Sequence, residues 1–432
     1  MPFVAEKPLI VAIAYPADGH AGPVLRALSY LTSRGYEAWA LTGDRYKDQA
    51  MASGVERFFT LPDPFAIHGE LLMEGIADVP PGLKQFDFEI QRVFIRDMAK
   101  FAEAVRGTLE TARAEKGPGR KIVVVQDMAA TGTAPFLFGA PPPQGFEETG
   151  FPPVLSINAS MNFHSSLDVP PLGMPIDAAD RTDEVIRKMY EAYAEDMQGS
   201  RDLFNKIATE LGATRHITGL LTDAWLDVPD LTVPGRTADA PRKGGQMAEW
   251  LQSFLDDQAG RALVFVTQGT VDINHTELLI PTLQALSGRE DLFVVGVLGV
   301  KGGRLPEDVE AGLGSNVKVL DYFPYSEILP YADVFVANGG YGGFMQGVMN
   351  GVPMVIAGEV KDKGEVAARM ERAGLGINLK TATPAQEHVI AAVDKVLSDP
   401  IYRKRAMELK RENEDMDAIG GLEKAIMELA SR

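Results

Sequence analysis

Asp333-Val334-Phe335-Val336-Ala337-Asn338-Gly339-Gly340-Tyr341-Gly342-Gly343-Phe344-Met345-Gln346 is the stretch on which the fold turns. An apolar run of strand-forming residues enters four glycines within five positions and leaves through Phe, Met and Gln, the outline of a strand, a turn and a helix. Glycines at that junction let backbone N–H groups approach an anion closely, and the dipole of the following helix adds a favourable field. A tight turn with no ligand is the alternative. Four glycines exceed what a turn needs, so the stretch is taken as a phosphate seat.

On either side of it the same rhythm repeats. Leu263–Val266, Leu292–Leu298, Val317–Leu320, Val334–Ala337 and Met354–Ala357 are predicted as buried strands with helices between most of them. In the first half, Leu9–Ala14, Tyr36–Leu41, Ile122–Val125 and Val154–Ile157 read the same way. Alternating strands and helices imply parallel sheets covered on both faces. At 432 residues the chain is too long for one ordinary core, so two α/β domains are expected. A polar stretch with Pro234, Gly235, Pro241, Gly244 and Gly245 marks the linker, set at residues 237–246. The final helices, about 400–430, are charged and amphipathic.

The first half carries a second signal. After the opening strand, the Gly-rich turn Asp18-Gly19-His20-Ala21-Gly22 leads to a helix predicted to begin near Pro23, with Leu25, Leu28 and Leu31 on its apolar face and Arg34-Gly35 at its end. His20 thus sits beyond the carboxyl end of a strand, the edge where ligands collect in open α/β sheets. An imidazole there suits a general base. Asp127, just past Ile122–Val125, can reach the same edge and hold the ring. A purely structural histidine is the competing reading, and position alone leaves both open. Residues 62–100 and 131–175 interrupt the rhythm with prolines and with Phe65, Phe86, Phe88, Phe94, Phe136, Phe138, Phe151 and Phe163. They either line a site for an apolar ligand or pack as loops.

Much is excluded. With no cysteine, disulfides, thiolate metal sites and thiol catalysis fall away. A formal charge of −18 argues against nucleic acid and anionic membranes, though not against one small diphosphate. Hydrophobic residues make up 45% and charged residues 24%, a globular composition, and no apolar run reaches the ~20 residues that span a bilayer. Met1–Lys7 lacks the features of a signal peptide, so a cytoplasmic location is expected. The glycine turn misses G-x-G-x-x-G, neither Gly312-x-Gly314 nor Gly374-x-Gly376 completes it, and no P-loop, G-x-S-x-G or H-E-x-x-H is present. His20, His68, His164, His216, His275 and His388 never pair at ligand spacing, so no metal is expected. Asp415-x-Asp417 reads as a solvated helix face.

Taken together, these segments resemble the family 1 glycosyltransferases of the GT-B fold, UDP-glycosyltransferase-like enzymes that move sugar from UDP- or TDP-sugars to small acceptors with inversion. In the second half, Asp321-Tyr322-Phe323-Pro324-Tyr325, the Asn338 glycine turn, and Gly351-Val-Pro-Met-Val followed by Asp362-Lys363 occur in family order and spacing. Gln268-Gly269-Thr270 is similar to the family's Gly-Thr turn near the phosphates, and Gly19-His20-x-x-Pro23 with Arg34-Gly35 to its opening turn and helix.

The resemblance implies an α/β fold of two Rossmann-like domains, each with a mostly parallel sheet. Residues 1–236 would form the acceptor domain, joined by a returning C-terminal helix at about 410–432, and residues 247–409 the nucleotide-sugar domain. The active site would lie in the cleft between them. His20 would be the base and Asp127 its orienting partner. Thr270, Tyr322, Phe323, Asn338, Gly339, Gly340, Gly342, Gly343, Gln346, Asp362 and Lys363 would bind a nucleotide-sugar donor, with UDP-glucose first and a TDP-deoxysugar next. There would be no cofactor and no metal. The acceptor would be small and hydrophobic or aromatic, and the protein a monomer by default, with a dimer open.

Three positions depart from the family pattern. Asn338 replaces a histidine that donates to phosphate, and an amide donates as well. Gln346 replaces a ribose-binding glutamate, keeping a carbonyl acceptor but no charge. Lys363 replaces the glutamine beside Asp362, and either pairs with Asp362 or meets an acidic or phosphate group. Two other activities remain open: acceptor-independent epimerisation or hydrolysis of a nucleotide sugar, and non-catalytic binding of one.

Overall fold

The computed structural model of the chain describes residues 6–80, 82–158, 167, 170–172, 174, 180–218, 230–231, 248–256, 260–269, 274–360 and 362–432. The expected linker at 237–246, Phe163, His164 and Thr270 lie outside the described residues. The chain forms two units. One comprises Met1–Pro171, Thr182–Val233 and Ile419–Arg432, and the other Leu172–Arg181 and Pro234–Ala418.

In the first unit, β1 (Leu9–Ile13), β2 (Ala38–Thr42), β3 (Arg57–Thr60), β4 (Ile122–Asp127), β5 (Val154–Ile157) and β6 (Asp230–Leu231) form one sheet in the order β3-β2-β1-β4-β5-β6. Every pairing in it is parallel. β1 is apolar at all five positions because both of its faces are covered. Ile10 and Ala12 face a cluster with Val24, Leu25, Leu28 and Leu31 of the helix Asp18–Ser33. Leu9, Val11 and Ile13 face Phe101, Val105 and Leu109 of the helix Met98–Lys116. Connections leave β1 and β4 toward opposite edges, so the switch point of this sheet lies between them.

The helix after β1 begins earlier than expected. It runs from Asp18, with the N–H groups of His20 and Ala21 both donating to the Ala17 carbonyl at 2.9 and 2.8 Å. The residues taken for a turn are therefore its first turn, and Pro23 falls inside it. The stretch 62–100 also differs from the expected connection. It holds the helices Pro64–His68 and Leu83–Ile90 and a π-helical turn at Gln91–Ile95. Pro64 occupies the helix start, where its missing N–H costs nothing, and Asp63 caps Phe65 N at 3.0 Å. β3 and β6 were not anticipated, because β3 is closed at both ends by polar residues and β6 is two residues long.

The last helix, Ala418–Ser431, belongs to this unit's core: Leu422, Ala425, Ile426 and Leu429 pack into the cluster behind β1. Ile426 is fully buried. Ile426→Ala is expected to destabilise this unit by about 2–4 kcal/mol, read as a lower urea midpoint at unchanged slope.

The second unit repeats the plan. β7 (Ala262–Thr267), β8 (Leu292–Val297), β9 (Val317–Leu320), β10 (Val334–Ala337), β11 (Met354–Ile356) and β12 (Gly376–Asn378) are all parallel in the order β12-β11-β10-β7-β8-β9. Counted from its own first strand, this is the same order as in the first unit. Its switch point lies between β7 and β10, whose register pairs Ala337 with Thr267. Both units are doubly wound, Rossmann-like α/β structures. β12, led by a glycine and three residues long, was also not anticipated.

Candidate active site

In the first unit, the switch point brings the two candidate catalytic residues together. His20 enters from the helix after β1, and Asp127 is the last residue of β4. His20 Nδ1 lies 3.0 Å from Asp127 Oδ1, and the side-chain exposures are 24% and 0%. The other carboxylate oxygen accepts from Ala129 N at 3.2 Å. Two directed contacts on a buried carboxylate fix its plane. A proton on Nδ1 satisfies that carboxylate and leaves the lone pair on Nε2, the tautomer a base needs.

Neighbours hold this pair, and all of them but Phe94 were missed by sequence reasoning. The imidazole is approached edge-on by Tyr15 and Phe94, with ring centres at 5.7 and 6.0 Å. Tyr15 OH donates to the Val93 carbonyl at 2.7 Å. Burial, with the negative charges of Asp63, Asp97 and Asp127, pushes its pKa well above the ordinary phenol range, so it stays a neutral donor. Beside Asp127, Gln126 donates to Ser156 Oγ at 3.2 Å and accepts from Thr133 Oγ1 at 2.6 Å. These three polar side chains are buried and satisfied, so the end of β4 is stiff.

Among the phenylalanines singled out from the sequence, Phe94 reaches the imidazole. Phe136 and Phe151 stack on each other at 4.8 Å within the core, and Phe138 packs edge-on against Phe204. These last contacts are core packing.

In the second unit, the switch point places Asn338 beside Gln268. Asn338 Nδ2 donates to the Gln268 carbonyl at 2.6 Å, and its Oδ1 accepts from Gly340 N at 3.3 Å. The amide thus shapes the turn. Gly339 has φ +83°, and a Cβ there would stand 2.7 Å from Ile356 Cγ2, so only glycine fits. The helix Tyr341–Asn350 starts immediately after, and Tyr341 N donates to Asp362 Oδ2 at 3.1 Å. A Cβ on Gly342 would meet nothing within 4 Å. The N–H groups of Gly342 and Gly343 follow in the same first turn, where helix geometry supplies no internal acceptor. An open helix start with small residues and aligned donors binds anions.

The remaining candidates surround that turn or lie apart from it. Gln346 and Lys363 are largely buried, one on the helix that starts at Tyr341 and the other at the start of Lys363–Arg372. Tyr322 is 46% exposed, with Lys301 Nζ 5.4 Å from its ring centre. Its backbone is set by Asp321, whose carboxylate accepts from Gly302 N at 2.7 Å and Tyr322 N at 2.8 Å. Those donors hold the Asp321 pKa below the usual range. Phe323 instead packs edge-on against Trp250 at 5.3 Å, a core contact. Gly269, next to Thr270, has φ +80°.

Buried Glu365 was not foreseen. It accepts from Arg181 at 2.9 Å, Arg369 at 3.0 Å and Arg372 at 3.2 Å. Arg181 is 184 residues away in the chain, so no local pattern announces the cluster. Among the described residues, no three His, Cys, Asp or Glu side chains gather as a metal site, and no helix is long and apolar enough to cross a membrane. Asp415 and Asp417 are exposed.

Residues 303–418 match the family described as Erythromycin biosynthesis protein CIII-like, C-terminal domain. UDP-glucosyltransferase 1 of Beauveria bassiana (strain ARSEF 2860) is 35% identical, over 98% of this chain and 95% of its own. UDP-glucosyltransferase B1 of Starmerella bombicola is 34% identical, over 99% of each. Among solved structures, the glycotransferase of kitacinnamycin superposes with a TM-score of 0.68 at 19% identity, covering 98% of this chain and 99% of that one. At that identity it speaks for the fold. The sequence relatives span nearly the whole length of the chain, and the chain therefore belongs to the UDP-glycosyltransferases, glycosyltransferases of the GT-B fold.

Proposed function

We propose that this glycosyltransferase moves glucose from UDP-glucose to a hydroxyl of a small hydrophobic or aromatic acceptor, with inversion at the anomeric carbon. The observation that carries the reading is the 3.0 Å contact between His20 and the buried carboxylate of Asp127. The names of the relatives, UDP-glucosyltransferases from two fungi, support the donor.

In this mechanism the acceptor oxygen attacks the anomeric carbon while the bond from that carbon to the diphosphate oxygen breaks. The acceptor proton passes to His20 Nε2, and Asp127 stabilises the imidazolium. UDP leaves with the bonding electron pair. One in-line displacement inverts the centre.

The departing charge is met by the N–H groups of Gly342 and Gly343 and the dipole of Tyr341–Asn350, with Asn338, Gly339 and Gly340 shaping the turn. Thr270 is assigned to the same phosphates by the family pattern. Tyr322, half-exposed, stacks on the uracil, with Phe323 behind it in the core. Gln346 accepts from the ribose. Asp362, whose carboxylate accepts from Tyr341 N, is assigned to the sugar hydroxyls by the family pattern. Lys363 adds positive charge at the head of its helix.

Because the helix start supplies the electrophilic stabilisation, the reaction is read as metal-independent. An EDTA-treated, dialysed enzyme should transfer glucose at the untreated rate, measured by mass spectrometry of a phenolic product. Loss of activity that returns with Mg²⁺ or Mn²⁺ would overturn this. UDP-glucose alone should release UDP far more slowly than in the presence of acceptor. Equal rates would favour a hydrolase or epimerase.

A further inference from the structure

We propose that Phe94 is the residue that selects the acceptor, favouring planar phenols, and that Tyr15 and Thr131 are positioning residues that hold it beside His20 through a π-helical turn. This rests on the reading of His20 as the acceptor's base.

The helix Leu83–Ile90 runs into a single wide turn, Gln91–Ile95, closed by Arg96 N donating to the Gln91 carbonyl at 2.9 Å. Such turns are rare and occur frequently at functional sites. Two carbonyls of this one are taken by side-chain hydroxyls. Val93 O accepts from Tyr15 OH at 2.7 Å, and Phe94 O accepts from Thr131 Oγ1 at 2.8 Å.

The origin of those hydroxyls matters. Tyr15 stands two residues past the end of β1, and Thr131 four residues past the end of β4. The strand ends that deliver His20 and Asp127 therefore also grip the turn that carries Phe94. Tyr15 is fully buried, and its raised pKa keeps the hydroxyl protonated. The Phe94 ring lies 4.9 Å from the Tyr15 ring and 6.0 Å from the imidazole.

Tyr15 and Phe101 are wholly buried, whereas Phe94 is only partly so. It is the outermost ring of this aromatic group. An aromatic acceptor laid on it gains ring–ring contact that a saturated alcohol of similar bulk does not.

The test compares 4-methylumbelliferone, a planar phenol, with 4-tert-butylcyclohexanol, using UDP-glucose as donor. Phe94→Ala and Thr131→Val should each lower kcat/KM for the phenol about tenfold, mostly through its KM. The cyclohexanol and the KM for UDP-glucose should move little. Thr131→Ser, which keeps the hydroxyl, should restore the phenol KM. Binding of 4-methylumbelliferone, followed by its own fluorescence without donor, should weaken in Phe94→Ala and stay unchanged in His20→Ala.

Unchanged selectivity in Phe94→Ala, equal loss in Thr131→Ser and Thr131→Val, or no phenol binding by the wild type would each overturn the proposal. Transfer that survives His20→Ala would instead remove the base reading and leave the binding result for Phe94 standing.

Discussion

His20→Ala is expected to cut glucosyl transfer by about 10²–10⁴-fold while UDP binding stays at the wild-type level. A neutral hydroxyl is a weak nucleophile, and the loss measures what removing its proton in the transition state contributes. The donor-binding candidates all lie in the second unit, so calorimetry with UDP should report the same affinity in both proteins. The variant strips a buried carboxylate of one of its partners, leaving Ala129 N as the other. Some stability should be lost, about 1–3 kcal/mol for an under-satisfied buried group. Asp127→Asn separates chemistry from folding. It keeps the shape but offers one carbonyl to two donors, His20 Nδ1 and Ala129 N, and it removes the charge that favours the imidazolium. Its rate should fall less than that of His20→Ala. Wild-type turnover in His20→Ala would end the assignment.

Gly342→Asp should raise the KM for UDP-glucose about a hundredfold or more without unfolding the protein. A Cβ at Gly342 points into open space, so the side chain meets no steric barrier. It does bring a carboxylate to the seat proposed for the diphosphate. Like charges about 4 Å apart at an effective dielectric of about 20 repel by about 4 kcal/mol. For the empty protein the sign reverses. An acidic residue in the first turn of a helix interacts favourably with the dipole, by about 0.3–1 kcal/mol, and any non-glycine residue lowers unfolded-chain entropy. The melting temperature should therefore hold or rise while donor affinity falls. Gly342→Ala, with a methyl and no charge, should show a smaller KM effect. If Gly342→Asp binds UDP as tightly as the wild type, the phosphates lie elsewhere.

The fold was legible because strands buried on both faces carry long apolar runs, throughout in β1 and β10 and up to the polar carboxyl ends in β4 and β7. β3, β6 and β12 were not, because Arg57-Phe-Phe-Thr60, Asp230-Leu231 and Gly376-Ile-Asn378 hold at most two large apolar residues each. The helix start at Asp18 was misplaced because glycine and proline mark turns in most contexts, and here Gly19, Gly22 and Pro23 are helical. His20 and Asp127 were paired from their positions at strand ends, which the topology turns into a 3.0 Å contact across 107 residues. Phe94 was singled out only as one of eight phenylalanines, and Tyr15 and Thr131, which hold it, escaped notice for a physical reason. Their link runs from side-chain hydroxyls to backbone carbonyls of a π turn, which has no compositional signature. Asp362 was expected to face sugar, and its second role as the cap of Tyr341 depends on a fold-back of 21 residues.

The helix Ala418–Ser431 fills the first unit's core although the second unit lies between them in the chain. On the ribosome, Val233 emerges well before Ile419, and at about 5–20 residues per second the delay is roughly ten to forty seconds. Throughout it, the nascent first unit exposes the greasy surface that Leu422, Ile426 and Leu429 later cover. Chaperones that recognise such surfaces should hold the chain during this interval, and stalling translation just short of residue 419 should lengthen their residence.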